Sequence, residues 1–226
     1  MNDENVVQKA SRRITDYRGE KALGLFLDEF FYSVLEQAGI IDSFERVYSK
    51  NEQVNGSDIK IHIKNGTLVI DEKAQLYYIN HPVDTFALEV DYIKPETGNC
   101  VDGWFMDLQN KTDSYLFIWI PRAKESRIER IVSHDFLEIE AYLVGKDKIK
   151  EWLGKIGLST DKIKAIAADM RSKDEDRRKI NEDIRFRKSS ADKYVEAPVN
   201  IVISKRVLAE LTSNRYKISR NGYSLI

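Results

Sequence analysis

The chain has 226 residues, 42% of them hydrophobic and 32% charged, which is enough to bury one sizeable core and too apolar for disorder throughout. Its formal net charge of −1 excludes a strongly polycationic protein, so any hold on nucleic acid must come from a local patch. The lone Cys100 excludes an intramolecular disulfide and a cysteine-paired metal site; Met1 to Asn5 has no leader-like character and no uncharged apolar run reaches membrane-spanning length, so a single cytoplasmic domain with no membrane contact is expected.

In chain order, Leu23, Leu25, Leu27, Phe30, Phe31, Val34, Leu35 and Ala38 fall at helical spacings between about Glu20 and Ala38, and Gly39 follows as a stop; the pattern predicts an amphipathic helix. Ile59 to Lys64 alternates strictly, Asn65-Gly66 is a strong two-residue turn signal, and Thr67 to Tyr78 resumes an extended pattern, which predicts a β-hairpin. Phe86 to Tyr92 and Ser114 to Ile120 read as two further strands of the same sheet, the second ended by Pro121. A strand from Phe136 to Val144, a helix from Lys146 to Lys155 and a second helix capped by Ser159-Thr160 follow. Arg171 to Lys193 is dense in mixed charge and reads as a helix extension or an excursion from the fold. Val199 to Ile203 is a short strand, and a helix around Val207 to Leu211 leads into a basic tail.

With a two-residue turn at Asn65-Gly66, Lys64 faces Thr67, Lys60 faces Asp71 and Asp58 faces Lys73. Period-two alternation then puts Ile59, Ile61, Ile63, Leu68 and Ile70 on a core face, and Asp58, Lys60, His62, Asp71, Lys73 and Gln75 on the other. Two carboxylates held close together are oxygen ligands of the kind a hard divalent cation takes, and a neighbouring lysine suits phosphodiester hydrolysis by offsetting charge that develops in the transition state. The plain reading of the same face is a cross-strand ion pair on an ordinary hairpin surface.

An acid opening one strand (Asn55-Gly56-Ser57-Asp58), a short hairpin, and acid-any-lysine on the next strand (Val69-Ile70-Asp71-Glu72-Lys73), all behind an amphipathic helix, resembles the PD-(D/E)XK nuclease superfamily. The resemblance covers about residues 20–120. Ser57 stands where members often carry proline, and the residue four beyond Gln75 is Ile79 and not the tyrosine of the exonuclease subgroup. It implies a restriction endonuclease-like α/β fold in which a central mixed sheet is flanked by helices, with a helical, charged C-terminal part over about 146–226. It further implies Asp58 and Asp71 as ligands of Mg²⁺ or Mn²⁺, the carbonyl of Glu72 as a further ligand, Lys73 as the catalytic lysine, and DNA as the substrate. An acid of the first helix, Glu20, Asp28 or Glu29, is a candidate to join the site, and Asp28 lies on the apolar stripe. Alternatively, the chain is a non-catalytic module on the same fold that binds nucleic acid or a protein.

Outside the hairpin, Glu89 and Asp91 point to one side of their predicted strand and form a reserve acidic pair. Lys205, Arg206, Arg215 and Lys217, with Arg220 and only Glu210 opposing, make the best basic patch for phosphates, and Gln75 is a candidate phosphate contact. His62, His81 and His134 lack zinc spacing, no Gly-x-Ser-x-Gly or phosphate-binding loop occurs, and Trp104, Trp119 and Trp152 sit in apolar patterns that read as core or interface. A homodimer or a place in a larger assembly is compatible with the sequence.

Overall fold

The structure is a computed structural model that describes residues 13–48, 56–189 and 196–226. Helix α1 (Arg13–Leu27) passes through a π-helical turn (Asp28–Tyr32) into α2 (Ser33–Gln37). Leu23, Phe26, Leu27, Phe31, Tyr32 and Leu35 are buried along it, as expected of an apolar stripe at helical spacing. Gly39 takes a left-handed φ of +66°. The Gly39 and Ile40 amides donate to the Glu36 and Leu35 carbonyls, the paired bonds of a Schellman ending that glycine makes without strain.

The strands are β1 (Ser43–Arg46), β2 (Ile59–Ile63), β3 (Gly66–Ala74), β4 (Thr85–Ile93), β5 (Cys100–Asp102), β6 (Ser114–Ala123), β7 (Phe136–Gly145), β8 (Arg177–Lys179), β9 (Ile184–Lys188), β10 (Val199–Ser204), β11 (Asn214–Ser219) and β12 (Gly222–Leu225). They form a seven-stranded sheet in the order β1-β2-β3-β6-β7-β11-β12 and a five-stranded sheet in the order β5-β4-β10-β9-β8. The larger sheet is mixed, because β3 and β6 run parallel while its other neighbours are antiparallel. Helices α3 (Lys146–Lys155), α4 (Thr160–Ser172) and α5 (Lys205–Leu211) complete the α/β fold. Ser159 caps α4 by accepting from the Lys162 amide.

The central strand β6 explains the layering. Leu116, Ile118 and Ile120 join the core beneath α1, whereas Tyr115, Phe117 and Trp119 join a second core shared with β4, β9, β10 and the C-terminal helices. A strand buried on both faces needs such an unbroken apolar run. The expectation of an α/β fold with a central mixed sheet flanked by helices holds in its coarse form, with one correction: α1 covers one face of the mixed sheet, and the other is covered largely by the second sheet.

Four finer expectations are also corrected. Strand β4 belongs to the smaller sheet, so it does not extend the hairpin sheet. Pro121 does not end β6, which continues to Ala123 across an irregularity in its pairing with β7 between Trp119 and Arg122. The charged stretch begins in the last turn of α4, but beyond Ser172 it is neither helix nor excursion where it is described: β8 and β9 pair as an antiparallel hairpin because Ile184 and Phe186 supply a buried side beneath the charges. The basic tail is the β11–β12 hairpin, with Tyr216 and Ile218 buried. Among the described residues, no helix is long and apolar enough to cross a membrane.

Candidate functional site

The hairpin forms, but its register differs by two residues from the expected one. Ile63 pairs with Gly66, Ile61 with Leu68 and Ile59 with Ile70, so Lys64 and Asn65 make the turn and Gly66 opens β3 with φ +150°. A shift of two preserves the faces while changing the partners. Asp58, expected opposite Lys73, comes opposite Asp71. The Asp58 amide donates to the Ile70 carbonyl at 3.0 Å, and its Oδ2 accepts from the Glu72 amide at 2.8 Å.

Asp71 is 1% exposed, and its Oδ1 lies 2.7 Å from Lys73 Nζ. The ammonium also sits 4.7 Å above the centre of the Trp104 ring, a favourable cation–π position. Burial raises the Asp58 pKa well above the usual carboxylate range, and the Asp71 charge adds to the shift against the pull of Lys73. For Lys73, burial works against the charge, but Asp71 and Asp58 outweigh it and the pKa is raised. Lys73 is thus held as a cation.

Glu72 points its carboxylate to the other face. It accepts from the Tyr32 hydroxyl at 2.8 Å and from Arg46 Nη1 and Nη2 at 2.7 and 3.0 Å. Arg46 Nε also donates to both oxygens of Asp28 at 2.8 Å. This explains an acid on the apolar stripe: the π-helical turn carries Asp28 to a buried arginine, away from Asp58 and Asp71. Only the backbone carbonyl of Glu72 is left as a candidate ligand.

Beyond β3 the strand pattern stops early. Leu76–Tyr78 is a 3-10 turn, and Gln75 turns with it, its amide donating to the Ile118 carbonyl and its side-chain amide to the Thr85 carbonyl. Gln75, Asp58, Asp71, Lys73 and Trp104 line one cavity of about 700 Å³, together with Glu20 from α1. Glu20 keeps solvent access at the cavity wall, and its pKa is raised, first by desolvation there, against the pull of Lys73. Of the three helix acids, Glu20 is the one that faces the hairpin pair.

The remaining candidates go elsewhere. Asp91 is bound by Arg171. His62 Nδ1 lies 3.0 Å from Thr67 Oγ1 on the exposed end of the hairpin. The basic patch is opposed by more acids than the sequence distance suggested: Lys205 pairs with Glu140 at 2.6 Å, Arg206 with Asp183 at 2.5 Å and Lys217 with Glu138 at 3.0 Å, while Arg215 on β11 faces Tyr142 of β7. Sequence reasoning missed Arg46, Tyr32 and the role of Trp104 as a platform under Lys73, because each acts across a sequence separation that no spacing rule spans.

Gly56, which leads into Asp58, has φ +73°, and a Cβ there would meet Asn110 Nδ2 at 2.3 Å and Thr112 Oγ1 at 2.4 Å. Thr112 hydrogen-bonds the Gly56 carbonyl, and buried Lys146 Nζ donates to the Asn110 carbonyl at 3.1 Å. A Gly56→Ala substitution combines a left-handed non-glycine backbone with overpacking and is expected to cost about 2 kcal/mol or more, read by chemical denaturation. A loss below the error of that measurement would show that the loop yields freely.

Glu89 on β4 accepts from the Trp104 amide, and burial is the main cause that raises its pKa to about 7, with Lys73 opposing and Glu196 and Asp91 adding. Its folded-state pKa lies above the ordinary 4.5, so the folded protein holds this proton more tightly than the unfolded chain does. Stability from this group is present at low pH and is lost as pH rises from about 4.5 through about 7. A Glu89→Gln variant should match the parent at pH 5 and exceed it at pH 8 by up to about 3 kcal/mol in paired denaturation curves. Equal curves at both pH values would count against the buried carboxyl.

Among the described residues, the buried side-chain polar atoms with no hydrogen-bond partner are Ser57 Oγ, Asp71 Oδ2, Gln75 Oε1 and Tyr115 Oη. Ser57 adjoins Asp58, and Tyr115 is the β6 neighbour of Asp71. Buried polar atoms are nearly always satisfied, so it is informative that two of the four, on Asp71 and Gln75, belong to residues lining the cavity. An orphaned carboxylate oxygen on Asp71 beside a disfavoured Asp58 charge fits a hard cation with oxygen ligands. No group of three or more His, Cys, Asp or Glu among the described residues is arranged to hold a metal. Comparison with family models, curated proteins and solved structures gives no match.

Proposed function

We propose that the chain is a divalent-metal-dependent nuclease of restriction endonuclease-like fold that hydrolyses phosphodiester bonds in DNA. The observation that carries this reading is the Asp58–Asp71 pair, Asp71 buried and Asp58 half-buried, with an unpartnered Asp71 oxygen and the Lys73 ammonium beside it in one open cavity. Mg²⁺ or Mn²⁺ held by Asp58, Asp71 and the Glu72 carbonyl would supply Lewis-acid polarisation of a phosphoryl oxygen.

The chain's own groups do the rest. Lys73, held 2.7 Å from Asp71, places positive charge where the phosphoryl group gains negative charge, the role of a transition-state stabiliser. Trp104 and Asp71 fix the ammonium from two sides, so little reorganisation is needed at the moment of reaction. Gln75, just past the end of the strand, gives its side-chain N–H to the Thr85 carbonyl and leaves Oε1 unpartnered, an acceptor that would suit a metal-bound water and not a phosphate oxygen. Arg46 holds Glu72 from behind and so sets the strand that carries the pair. Lys205, Arg206 and Lys217, already engaged by carboxylates, are left out of the proposed contact surface.

The second reading, a catalytically silent binding module, is favoured by one observation, the absence of a third acid grouped with the pair among the described residues. Incubating the purified chain with plasmid, linear, single-stranded and branched DNA in Mg²⁺ or Mn²⁺, beside Lys73→Ala, separates the two. Metal-dependent cutting that the folded variant lacks supports the nuclease. No cutting, with no metal uptake in calorimetry, supports the module.

A further inference from the structure

Three rings stand at the cavity mouth without structural work of their own. Tyr17 on α1, Tyr48 after β1 and Tyr78 in the 3-10 turn line the cavity and are 59%, 77% and 44% exposed; Tyr77 of the same turn lines it too, 54% exposed, but its hydroxyl is tied to Asp16. Phe31, Tyr32, Tyr216 and Tyr223 stack on one another in the core, whereas no ring contact involves these three among the described residues. Exposed tyrosines scattered singly need no explanation. Three from separate elements converging on one opening do.

The acids of the site lie deep. Asp71 is almost wholly buried, and the space above it is about 700 Å³, within the range that takes a single drug-sized group. A scissile phosphate must descend into that space to reach the pair. Duplex DNA is stiff over about 150 base pairs and cannot send an internal linkage down such a cavity while its bases stay paired. An unpaired strand can, and its bases then need a surface to replace the stacking they have lost. Tyrosine rings at the mouth offer that surface, and their tolerance of any base suits a site in which no base-reading constellation is present on the described cavity wall.

We infer that the cavity takes single-stranded DNA, or a locally unpaired nucleotide, stacked on Tyr17, Tyr48 and Tyr78 with its backbone led down toward Asp58, Asp71 and Lys73. This rests on the nuclease reading for the role of the floor, but not for the binding itself. Lys21, also on the wall, adds a cation, with Glu20 of the same helix opposing it.

The test uses the full chain with Ca²⁺ in place of Mg²⁺, so that binding is read without hydrolysis. Fluorescence anisotropy compares a labelled oligo-dT strand with the same strand annealed to oligo-dA. The single strand is expected to bind at least about tenfold more tightly; Tyr48→Ala and Tyr78→Ala should each lose about tenfold, and Tyr48→Phe and Tyr78→Phe should retain most of the affinity, as stacking requires. Equal or tighter binding of the duplex, or alanine variants that bind like the parent, would overturn the inference. Cleavage of the same substrates in Mg²⁺ keeps the two claims apart. Tyrosine-dependent binding without cutting supports this inference while removing the nuclease reading, and internal cutting of intact duplex at the single-strand rate does the reverse.

Discussion

An Asp58→Asn variant is expected to melt higher than the parent protein while losing metal uptake and cutting. The gain follows from the raised pKa of Asp58, which burial and the facing Asp71 charge impose. A carboxyl whose folded-state pKa is raised stabilises the fold only while protonated, and the folded state loses that contribution as pH rises above the ordinary carboxylate range. Asparagine keeps an oxygen to accept from the Glu72 amide and gains an N–H to offer Asp71, without a second negative charge. At neutral pH the expected gain is about 1 kcal/mol or more, roughly 3 °C for a chain of this size. The gain should shrink in acid, where the parent carboxyl is already protonated.

On the activity side, removing one of two metal-holding carboxylates should lower cutting by at least about a thousandfold. Asp71→Asn should also abolish cutting, but without the stability gain, since it deprives the Lys73 ammonium of its 2.7 Å partner. Differential scanning fluorimetry across pH, with calorimetric titration of Mn²⁺, checks both halves. If Asp58→Asn melts lower than the parent at neutral pH, the Asp58 charge is not disfavoured in the fold and the site loses its main support.

The largest stability loss is expected from Arg46→Ala. Arg46 and Glu72 are 13% and 9% exposed at their side chains, Asp28 is 21% exposed, and the guanidinium touches both carboxylates. Its removal leaves two largely buried acids without the cation that pairs them, the situation in which breaking a buried pair costs about 3–5 kcal/mol. Arg46→Lys should recover only part of this, because a single ammonium cannot span both carboxylates with the fork of a guanidinium. Glu72→Gln should be milder, since the amide oxygen still accepts from Tyr32, and it should leave metal uptake intact because the Glu72 carboxylate faces away from the pair. Urea denaturation of the three variants orders them. A loss under 1 kcal/mol for Arg46→Ala would mean that water reaches the pair, and loss of metal uptake in Glu72→Gln would put that carboxylate in the site.

Much was legible in the sequence by itself. Helical spacing located the helical run from α1 to α2 and its stop at Gly39, alternation located β2 and β3, and Ser159 marked the start of α4, because each is decided by neighbours within a few residues. The side of the hairpin on which Asp58, Asp71 and Lys73 gather was legible for the same reason, since alternation is a local property that a register shift of two leaves untouched. Which residue faces which across the hairpin was not, because Asn65-Gly66 is compatible with more than one turn and only the packing of Ile59, Ile61 and Ile70 against α1 selects among them. The assignment of β4 to a second sheet depended on the apolar faces of β6, β9 and β10 meeting, contacts formed between segments far apart in the chain. The same holds for the site's surroundings. Arg46 reaches Asp28 and Glu72, Trp104 lies under Lys73, and three tyrosines from separate elements ring one opening, none of which any local pattern encodes. The basic patch was misread for the converse reason: Glu138, Glu140 and Asp183 are distant in sequence and adjacent in space, and charge balance is decided by distance.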